Sequence, residues 1–207
     1  MASDNEVLQL TEELLIGNGY HKSAYCHPFD EKLCVKILHF HPDTDMEREL
    51  GFRNACKKRI ASSVLLPQYF GTIPTNLGEG HVYERVCNYD GSTSKTLKEF
   101  LNAPPEKINV SFIYELLSDF KQNWLRECIV TSDVDLVNFL VQEESPSKAT
   151  VKIVDNIGTP VMIPLAYYFE HFAKKRAKKY WHRFVARLQQ EHPQVLWPEL
   201  FVKLDEC

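Results

Sequence analysis

Apolar positions along this chain change their period near residue 95. Before it, short apolar runs divided by turn residues predict strands: Leu14 to Ile16, Ser23 to His27, Leu33 to Leu38, Val64 to Phe70 and His81 to Val86. A polar turn with Pro74, Asn76, Gly78 and Gly80 separates the last two. One helix interrupts them, predicted over Asp43 to Lys58, with Asp43 or Thr44 as N-cap and acids in its first turn. After about Thr96 the spacing becomes helical: Val110, Ile113, Leu117, Phe120 and Trp124 recur every three or four residues, giving a long helix that ends near Glu127. Strands follow at Phe139 to Gln142 and Thr150 to Val154. A last helix is expected to begin at Pro164 and run unbroken. Its apolar stripe, from Leu165, Tyr168, Phe169 and Phe172 through Trp181 to Leu188, is expected to be core against Phe120 and Trp124. The predicted class is α+β in two lobes: a small antiparallel-sheet lobe over 1–87 and a shortened helical lobe over 88–207, with a hinge at Asn88 to Ser92.

Composition narrows the class of protein. At 207 residues, 44% hydrophobic and 25% charged, the chain can bury a substantial core. Its six cysteines form no C-x-x-C pair and no metal-finger spacing, so buried thiols in a reducing compartment are expected. The acidic, polar N-terminus lacks the pattern of a secretory signal, and no run approaches a membrane span. The expectation is a cytoplasmic protein with no membrane role. Net charge is −4, but residues 164–190 hold seven Lys or Arg against the single Glu170. That basic face is where an acidic protein partner is expected. Without a base-reading motif beside it, nucleic acid is not expected.

The candidate chemistry lies in the turns. Gly17-Asn18-Gly19 joins two strands, where glycines let backbone amides approach a phosphate; the same residues also suit a plain hairpin turn. Lys36 interrupts an apolar strand about 17 residues later, and lysine in such a place calls for a carboxylate partner. Glu49 and Glu47 on the first helix are the alternatives, Glu49 lying beside the apolar Leu50 and Phe52. Asp133 and Asn138, five residues apart on a loop between apolar segments, have the spacing of a kinase catalytic loop, although both are ordinary turn residues too. Asp155 ends the next strand, where a carboxylate can join Asn138 on a magnesium ion. Glu84 and Val86 lie at the approach to the hinge.

These positions fall in the order of a protein kinase, and the chain resembles that fold. More closely it resembles the YrbL family, bacterial proteins named for a link to the PhoP regulatory network. The resemblance spans roughly 10–190. It rests on Leu15 to Gly19, Ala24 to Pro28, Val35-Lys36-Ile37, Arg48-Glu49-Leu50, Phe70-Gly71-Thr72, Ile129-Val130-Thr131 and Asn138. Asp155-Asn156-Ile157-Gly158 with Ile163 to Ala166 is its most specific part. The resemblance implies a protein-kinase-like fold binding ATP and Mg2+. In it Gly17, Asn18, Gly19, Lys36, Glu49, Glu84 and Val86 meet the nucleotide, Asn138 and Asp155 the metal, and Asp133 the acceptor. The chain also departs from ordinary kinases. Thr131-Ser132-Asp133 replaces H-R-D, Asp135 stands where the loop lysine would be, and Asp155 precedes Asn-Ile-Gly. About 50 residues follow Asp155, too few for peptide-docking helices. Two functions are therefore expected as alternatives: a phosphotransferase with a non-standard acceptor, or a pseudokinase acting as a regulatory nucleotide- or partner-binding protein.

Overall fold

The computed structural model describes residues 7–40, 43–104, 109–160 and 164–192. The N-terminal residues 1–6, Ile163 and Cys207, each used above, lie outside them. The fold is α+β with antiparallel sheets. It divides into two compact units, Met1–Asp43 with Pro67–Cys87, and Thr44–Leu66 with Asn88–Cys207.

In the first unit β1 (Leu15–Asn18), β2 (Lys22–His27), β3 (Asp30–Leu38), β4 (Tyr69–Thr75) and β5 (Gly78–Glu84) form one antiparallel sheet in the order β1-β2-β3-β5-β4. Five strands are expected from the pattern, but the fourth lies five residues later than its apolar run suggests. Ser63 Oγ accepts the N–H groups of Leu65 and Leu66, turning that run away from a ladder. Pro74, expected in a turn, instead sits in β4 at the sheet edge, where its missing N–H costs no ladder bond. Its carbonyl accepts Leu8 N–H at 2.9 Å, and Leu8 O accepts Asn76 N–H at 3.1 Å. The Asn76 side chain grips Leu10 N–H and C=O at 2.7 and 3.0 Å, so the segment around Leu8 seals the outer edge. Leu8, Leu10, Val35 and Ile37 make the buried core of this unit. Gly80 lies against it: a Cβ there would stand 2.4 Å from Val35 Cγ1 and 2.9 Å from Thr75 Cγ2. Gly80→Ala is expected to destabilise the sheet by about 1–3 kcal/mol through overpacking, read as a lowered urea midpoint with unchanged slope.

The second unit holds α1 (Thr44–Ala55) and α2 (Lys57–Ile60), where one helix is expected. Its sheet is β6 (Lys95–Thr96), β7 (Phe139–Ser145) and β8 (Lys148–Ile153), antiparallel in that order. A Thr96–Glu99 capping box opens α3 (Leu97–Leu101). α4 (Val110–Glu127), capped by Asn109 Oδ1, ends at Glu127 as expected. Phe120 and Trp124 of α4 meet Phe139 of β7 and Trp181 and Phe184 of the last helix, with ring centroids 5.1–6.0 Å apart.

That last helix is not continuous. α5 (Leu165–Tyr168) and α6 (Glu170–Glu191) are separated at Phe169, whose backbone is extended at φ −120° and ψ 121°. Tyr167 is anchored by its ring on Phe52, centroids 5.3 Å apart, and by its hydroxyl, which accepts Thr159 N–H at 2.9 Å. The break lets α5 keep that anchor while α6 packs on α4. From Ala173 onward the stripe is buried as expected, but Leu165, Tyr168, Phe169 and Phe172 are exposed, contrary to the expected core role. No helix among the described residues is long and apolar enough to cross a membrane. The thiols of Cys34, Cys56 and Cys128 are buried, and desolvation pushes each above the usual cysteine range. Cys26 and Cys87 are half-buried.

Candidate functional site

Two loops of the second unit run side by side. The buried Ile129 and Val130 carry the chain out of α4 through Cys128, whose left-handed φ of 51° ends the helix. Thr131 bridges Ile157, Gly158 N–H donates to Val130 O at 2.7 Å, and Ser132 N–H to Asn156 O at 2.8 Å. The buried Thr131 hydroxyl lies 2.8 Å from both the Asp133 and Asn156 carbonyls, sharing its proton across the seam. Arg48 of α1 donates from Nη1 to Ser132 Oγ at 2.8 Å and pairs with Asp45 at 2.7 Å.

On this frame Asp133 Oδ1 accepts the Asp135 N–H at 3.0 Å, and Asp133 Oδ2 accepts from the Asn138 side-chain amide at 3.0 Å. Asp133 is exposed and Asn138 buried. The Asn138 backbone is fixed as well, its N–H donating to Asp135 O and its carbonyl accepting Val154 N–H, both at 3.0 Å. With its amide nitrogen turned to Asp133, Asn138 keeps its side-chain carbonyl oxygen as a further acceptor. Asp155, half-buried on the neighbouring loop, accepts the following Asn156 N–H on Oδ1 at 2.7 Å. Asn156 takes a left-handed φ of 57°, reversing the chain immediately after the carboxylate. Asn138 and Asp155 are hard oxygen donors suited to magnesium. Among the described residues no three His, Cys, Asp or Glu converge as a self-sufficient metal cage.

Glu49 of the same unit is buried and takes Arg53 Nε at 2.8 Å, whereas Glu47 is exposed. In the first unit, Gly17 pairs with Ala24 and Gly19 N–H donates to Lys22 O at 2.9 Å, closing the β1–β2 hairpin. Asn18 Oδ1 lies 2.9 Å from Ser23 Oγ, which lies 2.7 Å from His39 Nε2, so the hairpin is braced by side chains. Lys36 places its ammonium 4.6 Å from the centre of the Tyr83 ring. Glu84 closes β5 onto Gln68, whose N–H it accepts on Oε2 at 3.1 Å, and Val86 is buried.

One neighbour of the Asp133 loop has no signal in the sequence. Arg187, assigned by the charge pattern to the free basic face, instead reaches Asp135 Oδ2 with Nη2 at 3.1 Å. Asp135 Oδ1 also caps the turn Leu136–Asn138 by accepting Val137 N–H at 3.2 Å. A cation of α6 thus stands beside the loop, 52 residues away in the chain.

A family model described as PhoP regulatory network protein YrbL matches residues 8–189. A YrbL protein of Escherichia coli (strain K12) is 30% identical over 184 residues, covering 87% of this chain and 88% of its own length. One from Shigella flexneri matches to the same extent.

Proposed function

The chain belongs to the YrbL family, and we propose that it is a kinase-like protein that binds ATP with Mg2+ and transfers a phosphoryl group to an acceptor other than a docked protein. The observation that carries this reading is the Asp133–Asn138 hydrogen bond at 3.0 Å, with Asp155 on the adjoining loop. Asn138 holds the Asp133 carboxylate in one orientation, so that it can accept a hydroxyl proton from the acceptor. Asn138 through its carbonyl oxygen, and Asp155, would hold magnesium, which offsets charge on the nucleotide phosphates. By the resemblance to kinases, Gly17, Asn18, Gly19 and Lys36 are the candidates for nucleotide phosphates, and Glu49 is the candidate counter-charge for the lysine. Glu84 and Val86 would border the base. Arg187 neutralises the charge that Asp135 brings next to Asp133. Beyond Asp155, the buried face of α6 is spent on the core with α4, which leaves it no part in docking a peptide and favours a small acceptor.

The pseudokinase reading has its own support, since Arg187, the cation beside the loop, is held by the carboxylates of Asp135 and Glu191 rather than left for a phosphoryl group. Thermal shift separates binding from its absence. ATP with magnesium at about 100 times Kd is expected to add about 2.7 kcal/mol, roughly 5–10 °C in melting temperature for a chain of this size. Lys36→Ala should remove most of that shift. Asp155→Asn should weaken its magnesium dependence more than Asp133→Asn, having lost a metal ligand rather than an acceptor-facing group. An unchanged melting temperature at millimolar nucleotide sinks both nucleotide-binding readings. A shift without phosphate release or transfer leaves the pseudokinase.

A further inference from the structure

The break at Phe169 leaves Leu165, Tyr168, Phe169 and Phe172 exposed by 40, 70, 55 and 45%. Four large apolar side chains within eight residues are more than singly scattered surface hydrophobics. The Phe169 and Phe172 rings lie 6.2 Å apart. α2 adjoins this knuckle: Arg59 donates to Ala166 O at 3.3 Å, and the same helix exposes Lys57 and Lys58. On α6, Lys174, Lys175, Lys178 and Lys179 are exposed, and Lys175 and Lys179 continue the helical row that begins at Phe172. Glu170, the single acid of residues 164–190, is paired with Lys174 at 2.6 Å.

The type of cation decides what this face fits. The arginines nearby have defined contacts: Arg59 on Ala166 O, Arg176 on Thr159 Oγ1, Arg183 over the Tyr180 ring and Arg187 on Asp135. The other exposed cations beside the aromatics are lysines. Lysine is a flexible point charge that needs no fixed partner geometry, whereas carboxylates at fixed positions on a folded protein are best matched by the arginine fork. Mobile anionic headgroups suit such lysines. Tyr and Phe in turn prefer the boundary between headgroups and acyl chains. We infer that this face docks on the surface of an anionic lipid bilayer, with Tyr168, Phe169 and Phe172 at the headgroup boundary and the lysines of α2 and α6 on the headgroups. The association is peripheral and independent of the nucleotide reading.

Co-sedimentation of the full chain with vesicles tests it, using phosphatidylcholine alone and phosphatidylcholine mixed equally with phosphatidylserine. Binding is expected to the mixed vesicles at low salt and to fall steeply in molar salt. Each lysine near such a surface is worth about 1 kcal/mol, or about fivefold in partitioning. Lys175→Glu with Lys179→Glu should therefore weaken binding by about 25-fold or more, while Tyr168→Ser with Phe172→Ser should weaken it and leave the melting temperature unchanged. No binding to mixed vesicles overturns the inference, as does binding that both variants retain. So does self-association in sedimentation velocity that Tyr168→Ser with Phe172→Ser abolishes in a protein that ignores vesicles, because a second copy then covers the face.

Discussion

Trp181→Ala is expected to lower stability by about 3–5 kcal/mol, enough to bring a marginal unit close to unfolding at ambient temperature. Trp181 is fully buried, its ring 5.8 Å from that of Phe120, 5.9 Å from Trp124 and 5.2 Å from Phe184. Removing the indole leaves a cavity that these rings, seated on two packed helices, can close only in part. The charged side of the same helix provides the contrast. Lys175→Glu with Lys179→Glu changes exposed side chains and should leave the melting temperature within a degree or two of wild type. A fall of about 6–20 °C for Trp181→Ala is the outcome that marks α6 as core. A wild-type melting temperature would show that α6 is detachable, against the packing described.

Gly158→Ala is expected to cost nearly as much, by another route. Gly158 has φ +100°, a conformation costing an ordinary residue about 1–3 kcal/mol. An added Cβ would stand 2.8 Å from the Tyr167 hydroxyl and 2.9 Å from both the Arg48 side chain and its carbonyl oxygen. The backbone contact has no rotamer escape, so a further 1–3 kcal/mol or so of overpacking follows. Because Arg48 also holds Ser132, the displacement reaches the Asp133 loop, and any nucleotide-dependent shift should shrink together with stability. Gly51→Ala in α1, where a Cβ would meet nothing within 4 Å, is the control. It should be neutral or stabilising by up to about 1 kcal/mol. Equal melting temperatures for the two variants would show that Gly158 is not pinned between α1 and Tyr167.

Much of this architecture is legible in the chain because its signals are local. Short apolar runs divided by the Gly17–Gly19 and Pro28–Asp30 turns mark β1, β2 and β3, and three-to-four spacing marks α4. The Asp133 to Asn138 interval is itself a loop signature, and the structure joins those two side chains directly. What escapes a one-dimensional reading is set by distant partners. Pro74 belongs to a strand only because that strand lies at the edge. Phe169 breaks its helix without a glycine or proline, since Tyr167 is held by Phe52 and Thr159 from earlier segments. Arg187 looks like one more basic residue of a solvated face until Asp135 is found opposite it.

The seal formed by Leu8 and Asn76 also bears on how the chain comes off the ribosome. Its partners are separated by 66 residues or more, so the outer face of β4 is open from the moment that strand forms until the leading segment folds back. An uncovered strand edge is a template for pairing with another molecule, the usual first step of aggregation. Pro74, which has no N–H to offer an incoming strand, blunts that edge during the interval. The hydrogen bonds to Leu8 and Leu10 then close it, so the first described residues of the chain act as the guard of the last strand position in its sheet.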